Sequence, residues 1–124
     1  MLIDPELAPL YEVKANLFKG LAHPLRIRAL ELLCSDQELS VAQLLKQMDL
    51  EASHLSQHLS VLRKHQLVVS QRRGTTVYYR IAHPQVRELL LAARGFLTSV
   101  LEQSSQQEER SRLLPGIGTE MSSM

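Results

Sequence analysis

Tryptophan is absent from this sequence, cysteine occurs once, and aromatic residues make up only 4% of the chain. A lone Cys34 excludes an internal disulfide framework and any single-chain Cys-x-x-Cys metal or redox motif, which fits a reducing compartment. With so few aromatics, the core has to come from Leu, Val, Ile and Ala. Long apolar runs are missing too: charge interrupts each one well before the ~20 residues that span a bilayer. The opening Met1-Leu2-Ile3-Asp4-Pro5-Glu6 lacks the basic-then-apolar order of a signal peptide. A cytoplasmic, soluble protein is expected, with no membrane partner. What is present supports folding: 124 residues, 44% hydrophobic and 22% charged, lie in the globular range and suit one compact domain. A domain of this size buries comparatively little of its own surface, so association with a second copy would stabilise it.

Acidic residues are missing from one stretch in particular. The formal net charge is only +1, yet no Asp or Glu occurs from Ala52 to Arg87. The same stretch holds Arg63, Lys64, Arg72, Arg73, Arg80 and Arg87, and four of the five histidines. The carboxylates lie on either side, from Asp4 to Glu51 before it and from Glu88 to Glu120 after it. A basic middle between acidic flanks points to one surface that faces a polyanion.

The hydrophobic period is helical over the first half. Leu7, Leu10, Val13, Leu17 and Leu21 predict a first helix over about 5 to 19, ended by Gly20. Pro24, suited to a first turn, opens a second helix with Ile27, Leu30, Leu33 and Cys34 on one face, running to Ser35-Asp36. Ser40 can cap a short third helix carrying Val41, Leu44, Leu45 and Met48. A tight break at Met48-Asp49-Leu50 precedes a fourth helix from about 51 to 65, with Leu55, Leu59 and Leu62 as its inward stripe. The period then changes to two. Residues 67–72 and 76–81 predict a hairpin joined by Arg73-Gly74-Thr75. Past Pro84, Val86, Leu89, Leu90, Ala93, Leu97, Val100 and Leu101 mark a long last helix. From Ser104 the Ser, Gln, Glu and Gly content predicts a flexible tail, so the domain is expected to span 1–103 and the tail 104–124.

The order is helix, helix, short helix, turn, helix, hairpin, helix: a mainly α chain with a β-hairpin. A short helix, a tight turn and an amphipathic helix form a helix-turn-helix, whose second helix can enter the major groove, and the hairpin would be its wing. With the leucines inward, Ser53, Gln57, Ser60 and Lys64 share the opposite side, beside His54 and Ser56. Ser, Gln and His can exchange hydrogen bonds with base edges, and Lys64 can meet a phosphate. Arg72, Arg73, Thr75 and, less directly, Arg80 would approach the backbone or minor groove from the wing.

Three segments in this order carry a family resemblance. Leu21-Ala22-His23-Pro24-Leu25-Arg26-Ile27-Arg28-Ala29-Leu30 resembles the LAxPxRxxIL start of the second helix in the ArsR/SmtB winged-helix repressors. Leu55-Ser56-Gln57-His58-Leu59-Ser60-Val61-Leu62-Arg63 is similar to their LSxHLxxLR recognition helix, and Gly74 through Tyr79-Arg80-Ile81 to the GxxxxYxL wing. The resemblance covers about residues 10 to 101. It implies a winged helix-turn-helix homodimer that represses transcription by binding double-stranded DNA, released by a small inducer. Its first and last helices would make the subunit contact, here through Leu10, Val13 and Leu17 with Val86, Leu90, Ala93, Leu97 and Val100. One departure is Glu51-Ala52, where the family often has Ser-Gln; it places an acid near the DNA.

The family's metal ligands do not carry over. Ser40-Val41-Ala42 stands where a Cys-x-Cys site would be, and the Asp-x-His and His-x-x-Glu positions are His83-Pro84-Gln85 and Phe96-Leu97-Thr98-Ser99. One candidate ligand remains, where zinc needs three or four. His54 and His58 have ligand spacing but no third partner nearby in sequence, His23 sits where a cap is needed, and Cys34 reads as a small buried hydrophobe. Ser56 with either histidine lacks an orienting acid, and no phosphate loop or carboxylate pair appears, so no enzyme, cofactor or metal is expected. Two alternatives stay open: a winged helix that grips protein, and a MarR-type regulator whose dimer helices lie elsewhere.

Overall fold

The structure, a computed structural model, describes residues 8–113. Its elements run α1 (Ala8–Leu21), α2 (Pro24–Ser35), β1 (Leu39–Ser40), α3 (Val41–Met48), α4 (Ala52–Lys64), β2 (Val68–Arg73), β3 (Thr76–Ile81) and α5 (Pro84–Leu113). The chain divides after Arg87 into two units.

In the first unit, local chemistry sets the starts of α2 and α3. His23 caps α2: its Nδ1 accepts the Leu25 N–H at 3.1 Å, and Pro24 occupies the first turn, where no donor is needed. Ser40 and Gln43 form a reciprocal capping box at α3, Oγ accepting the Gln43 N–H and Oε1 accepting the Ser40 N–H. Asp49, left-handed at φ 54°, ends α3 and turns the chain sharply into α4. Leu30, Leu33, Leu44, Leu55, Leu59, Leu62 and Val68 are the large side chains most completely buried, so α2, α3, α4 and the start of the hairpin share one leucine-rich core.

Several boundaries differ from the sequence expectation. α1 does not stop at Gly20 but continues to Leu21, and residues 5–7 of the expected helix lie outside the described residues. Gly20 is used for closeness: a Cβ there would lie 2.8–2.9 Å from the ring and Cβ of His65, the C-cap of α4. The hairpin turn is Gly74-Thr75, because Arg73 pairs with Thr76. Glycine at φ 65° in the first of two turn positions matches a II′ turn. A third strand, β1, was not expected. Leu39 pairs with Tyr79 and Ser40 with Tyr78, giving the sheet order β1-β3-β2. Two residues carry no detectable period, so only pairing reveals the strand.

In the second unit, α5 runs through Ser104 to Leu113, so residues 104–113 are helical where a flexible tail is expected. The reason is composition: Gln106-Gln107-Glu108-Glu109-Arg110 are good helix formers, and neither Gly nor Pro intervenes before Pro115. The described side chains of that stretch are exposed and polar all round, as in a solvated helix. The boundary expected at 103 therefore falls inside α5, and residues 114–124 lie outside the described residues.

Candidate nucleic-acid interface

The leucine stripe decides which side of α4 faces solvent. Leu55, Leu59 and Leu62 are at most 2% exposed. With those positions pinned, Ser53, His54, Ser56, Gln57, Ser60 and Lys64 all lie on the exposed surface of the helix, joined by Arg63. These side chains offer hydroxyl, amide, imidazole and cationic groups at helical spacing without a carboxylate, which suits base edges and phosphates. Glu51, exposed at the N-cap, makes no side-chain cap bond, so the first turn of α4 carries an acid that satisfies none of its open N–H groups.

The hairpin sorts its residues by strand alternation. Val68, paired with Ile81, and Ser70, paired with the buried Tyr79, turn to the core side, as Arg72 does near the tip. Val69, Gln71, Arg73, Thr76, Tyr78 and Arg80 share the outer side. Arg72, Arg73, Thr75 and Arg80 are all exposed. Arg73, however, is engaged within the protomer. It donates to Glu38 Oε1 from the chain just before β1, and its guanidinium lies 3.9 Å from the Tyr78 ring centroid. The stretch free of acids in sequence is thus supplied with one by the fold, because β1 pairs with β3. Arg87 is also occupied: it donates to the Cys34 carbonyl at the end of α2, where a cation suits the helix dipole. Arg63, Lys64, Arg72 and Arg80 remain as exposed cations of the basic stretch.

Cys34 is buried, and burial pushes its thiol up against the smaller opposing pull of Arg87, so it is no thiolate at neutral pH. Val86, expected at the subunit contact, is 6% exposed and belongs to the core of the first unit; it has no surface to offer a partner. Leu10 and Val13 are exposed and Leu17 is half-buried on α1; Leu90 is half-buried and Ala93, Leu97 and Val100 are exposed on α5. Among the described residues, no three His, Cys, Asp or Glu side chains gather as a metal-binding group, and no helix is long and apolar enough to cross a membrane.

One cluster is absent from the sequence reading. His58 is half-buried on the side of α4 towards α2, its ring 4.3 Å from that of His23, and its Nδ1 is 3.4 Å from Nη1 of Arg26. Burial, then His23, Arg26 and His54, hold His58 below its ordinary value. The Arg in the second-helix motif was the available signal, but no periodicity shows which way it points.

Comparison with known proteins agrees with this geometry. Residues 23–70 match the family described as bacterial regulatory protein, arsR family. The HTH-type transcriptional regulator Rv0081 of Mycobacterium tuberculosis is 50% identical over 97 residues, covering 77% of this chain and 84% of that protein. Its crystal structure superposes with a TM-score of 0.72 at 49% identity, over 77% of this chain and 95% of that one. The transcriptional repressor PagR of Bacillus anthracis is 33% identical over 79 residues, 64% of this chain and 79% of its own. The solution structure of the homodimeric winged helix-turn-helix DNA-binding domain Mb0332 of Mycobacterium bovis gives a TM-score of 0.71 at 28% identity, over 79% and 90% of the two chains. Capped helix-turn-helix, paired wing and half-identical relatives together establish that this chain belongs to the ArsR family of bacterial regulatory proteins, with a winged helix-turn-helix fold.

Proposed function

We propose that this protein is a DNA-binding transcriptional repressor that acts as a homodimer on an inverted-repeat operator, in the cytoplasm and without enzymatic activity. The observation that carries the reading is the exposed side of α4: Ser53, His54, Ser56, Gln57, Ser60 and Lys64 follow the N-cap Glu51 with no carboxylate among them, on a helix held from behind by three buried leucines. In this reading Gln57 and the serines read bases, while Lys64, Arg72 and Thr75 hold the backbone. Arg73 meets phosphate in competition with Glu38.

Support for the homodimer comes from apolar side chains left in solvent on each unit. Leu10, Val13 and Phe18 are exposed on α1, and Leu91, Phe96, Leu97, Val100 and Leu101 on α5. Surfaces of this kind mark association sites, and Mb0332 is a homodimer. The contact then comprises Leu10, Val13, Leu17, Leu90, Ala93, Leu97 and Val100, without Val86. Two-fold symmetry places the recognition helices roughly 34 Å apart, one DNA turn, which is why the operator is an inverted repeat. With about three phosphates neutralised per subunit, log affinity falls with log salt at a slope of roughly −5.

The test is selection of bound duplexes from a random library, followed by titration of the enriched sequence and a scrambled control at several salt concentrations. Enrichment of an inverted repeat with half-sites one turn apart is the expected result. Failure to enrich any sequence, with no affinity for duplex at low salt, overturns the reading.

A further inference from the structure

The geometry assigns Arg26 a positioning role: through His58 it holds the recognition helix α4 to the end of α1, and protonation of His58 at Nδ1 releases that hold. This inference rests on the DNA-binding reading above. Arg26 spreads its planar guanidinium over three acceptors. Nε donates to the Gly20 carbonyl at 2.7 Å, Nη2 donates to the Lys19 carbonyl at 3.2 Å, and Nη1 faces His58 Nδ1 at 3.4 Å. The two carbonyls belong to the last turn of α1, where a cation is favoured. They fix the plane of the guanidinium, and the remaining prong then points at α4. On its other side His58 meets His23, whose ring is 4.3 Å away, tilted 48°, and itself immobilised as the α2 cap. The same turn of α1 touches α4 again at its end, where Gly20 abuts His65. Two contacts spaced along α4 therefore restrain its rotation and tilt.

That restraint matters because Gln57 is the neighbour of His58 in sequence and lies on the exposed side. A rotation of α4 by about 20° moves a side-chain tip at about 5–6 Å radius by about 2 Å, more than a base-edge hydrogen bond tolerates. The hold depends on one lone pair. A guanidinium only donates, so His58 must present Nδ1 unprotonated, with its proton on Nε2. A second proton removes the acceptor and sets an imidazolium beside the guanidinium. The groups acting on His58 add to the repulsion: His23 and Arg26 from α2 and His54 from its own helix carry positive charge when ionised. From α1 come the Lys19 and Gly20 carbonyls, both occupied by Arg26, with the Lys19 ammonium in the same turn. Burial and these neighbours keep His58 neutral near pH 7.

The expected sign is opposite to simple charge attraction, in which an acidified histidine tightens binding to DNA. The experiment measures the ratio of affinities for the selected operator and a scrambled duplex at pH 7.5 and pH 5.5, using the full chain. For the wild type the ratio falls on acidification. His58→Gln keeps an acceptor that does not titrate, so its ratio is retained and nearly flat with pH. His58→Leu and Arg26→Ala lower the ratio at both pH values. A wild-type profile that His58→Gln leaves unchanged overturns the proposal. Hydrogen exchange of the α4 amides without DNA, corrected for intrinsic rates, gives a second readout. Acid must accelerate exchange in the wild type and not in His58→Gln; equal acceleration overturns the clamp even where no operator has been selected, and so separates its failure from failure of the DNA-binding reading.

Discussion

The recognition helix and the wing present similar polar and cationic side chains, but they hold them differently. On α4 the exposed polar residues proposed to face bases are free because leucines and the Arg26 junction take up the opposite side. On the wing the outer arginine, Arg73, is already paired with Glu38 and stacked on Tyr78. In the proposed reading, a free amide on a helix packed from behind supplies sequence discrimination, because base contacts carry the sequence information. An arginine held by a carboxylate has to exchange one anion for another, so its net contribution to affinity is smaller than its charge suggests. Charge counting from sequence treats both regions alike; the fold separates them.

The strongest test of that contrast is Gln57→Ala, which is expected to cost about 1–3 kcal/mol on the selected operator, with little change on scrambled duplex, measured by fluorescence titration. Equal losses on both duplexes would remove base reading from α4. The packing of α1 against the end of α4 is tested without DNA by Gly20→Ala. The new Cβ meets the His65 ring at 2.8 Å, and the expected destabilisation is about 1–2 kcal/mol in denaturant unfolding, partly offset by the better helix propensity of Ala. In the wing, Arg72→Ala is expected to weaken all sequences alike and to flatten the salt slope by about 2 for a dimer, one contact per subunit. The smallest effect is expected from Glu38→Gln. Releasing Arg73 should tighten binding to every duplex by about two- to fivefold and steepen the salt slope. A weaker-binding Glu38→Gln would mean that the pair orders the wing instead of competing with phosphate.

Acidification offers a further separation. His58 titrates below its ordinary 6.5 in the folded chain, so above that value it is neutral in both folded and unfolded states. As pH falls through 6.5 the unfolded chain takes the proton first, and stability declines until the folded pKa is passed. The wild type should lose stability over that window relative to His58→Gln, as seen in the difference between their thermal unfolding curves at pH 7.5 and 5.5. A parallel loss in both proteins would assign the decline to other groups.

Much of this was legible from residue order. The capping Ser40, the break at Asp49, the leucine period of α4 and the β-branched hairpin around Gly74 are local signals, each tied to a backbone requirement that neighbours in sequence satisfy. The same is true of the exposed polar face of α4, which follows from a 3.6-residue period. Less legible was the end of α5, because a solvated polar helix and a flexible tail share a composition, and only the absence of Gly and Pro before Pro115 distinguishes them. Val86 continues an apolar seam in sequence yet goes to the core, since periodicity marks an apolar face without stating what covers it.

Residue order by itself therefore determined the succession of elements, the side of α4 that meets solvent, and the family to which the chain belongs, all of which depend on near neighbours. Tertiary structure alone decided that Glu38 reaches Arg73, that Arg87 serves the end of α2, and that Arg26 bridges the last turn of α1 to His58. Those contacts join residues 35, 53 and 32 positions apart. Pairing over such distances is set by how helices and strands pack, which no local pattern encodes.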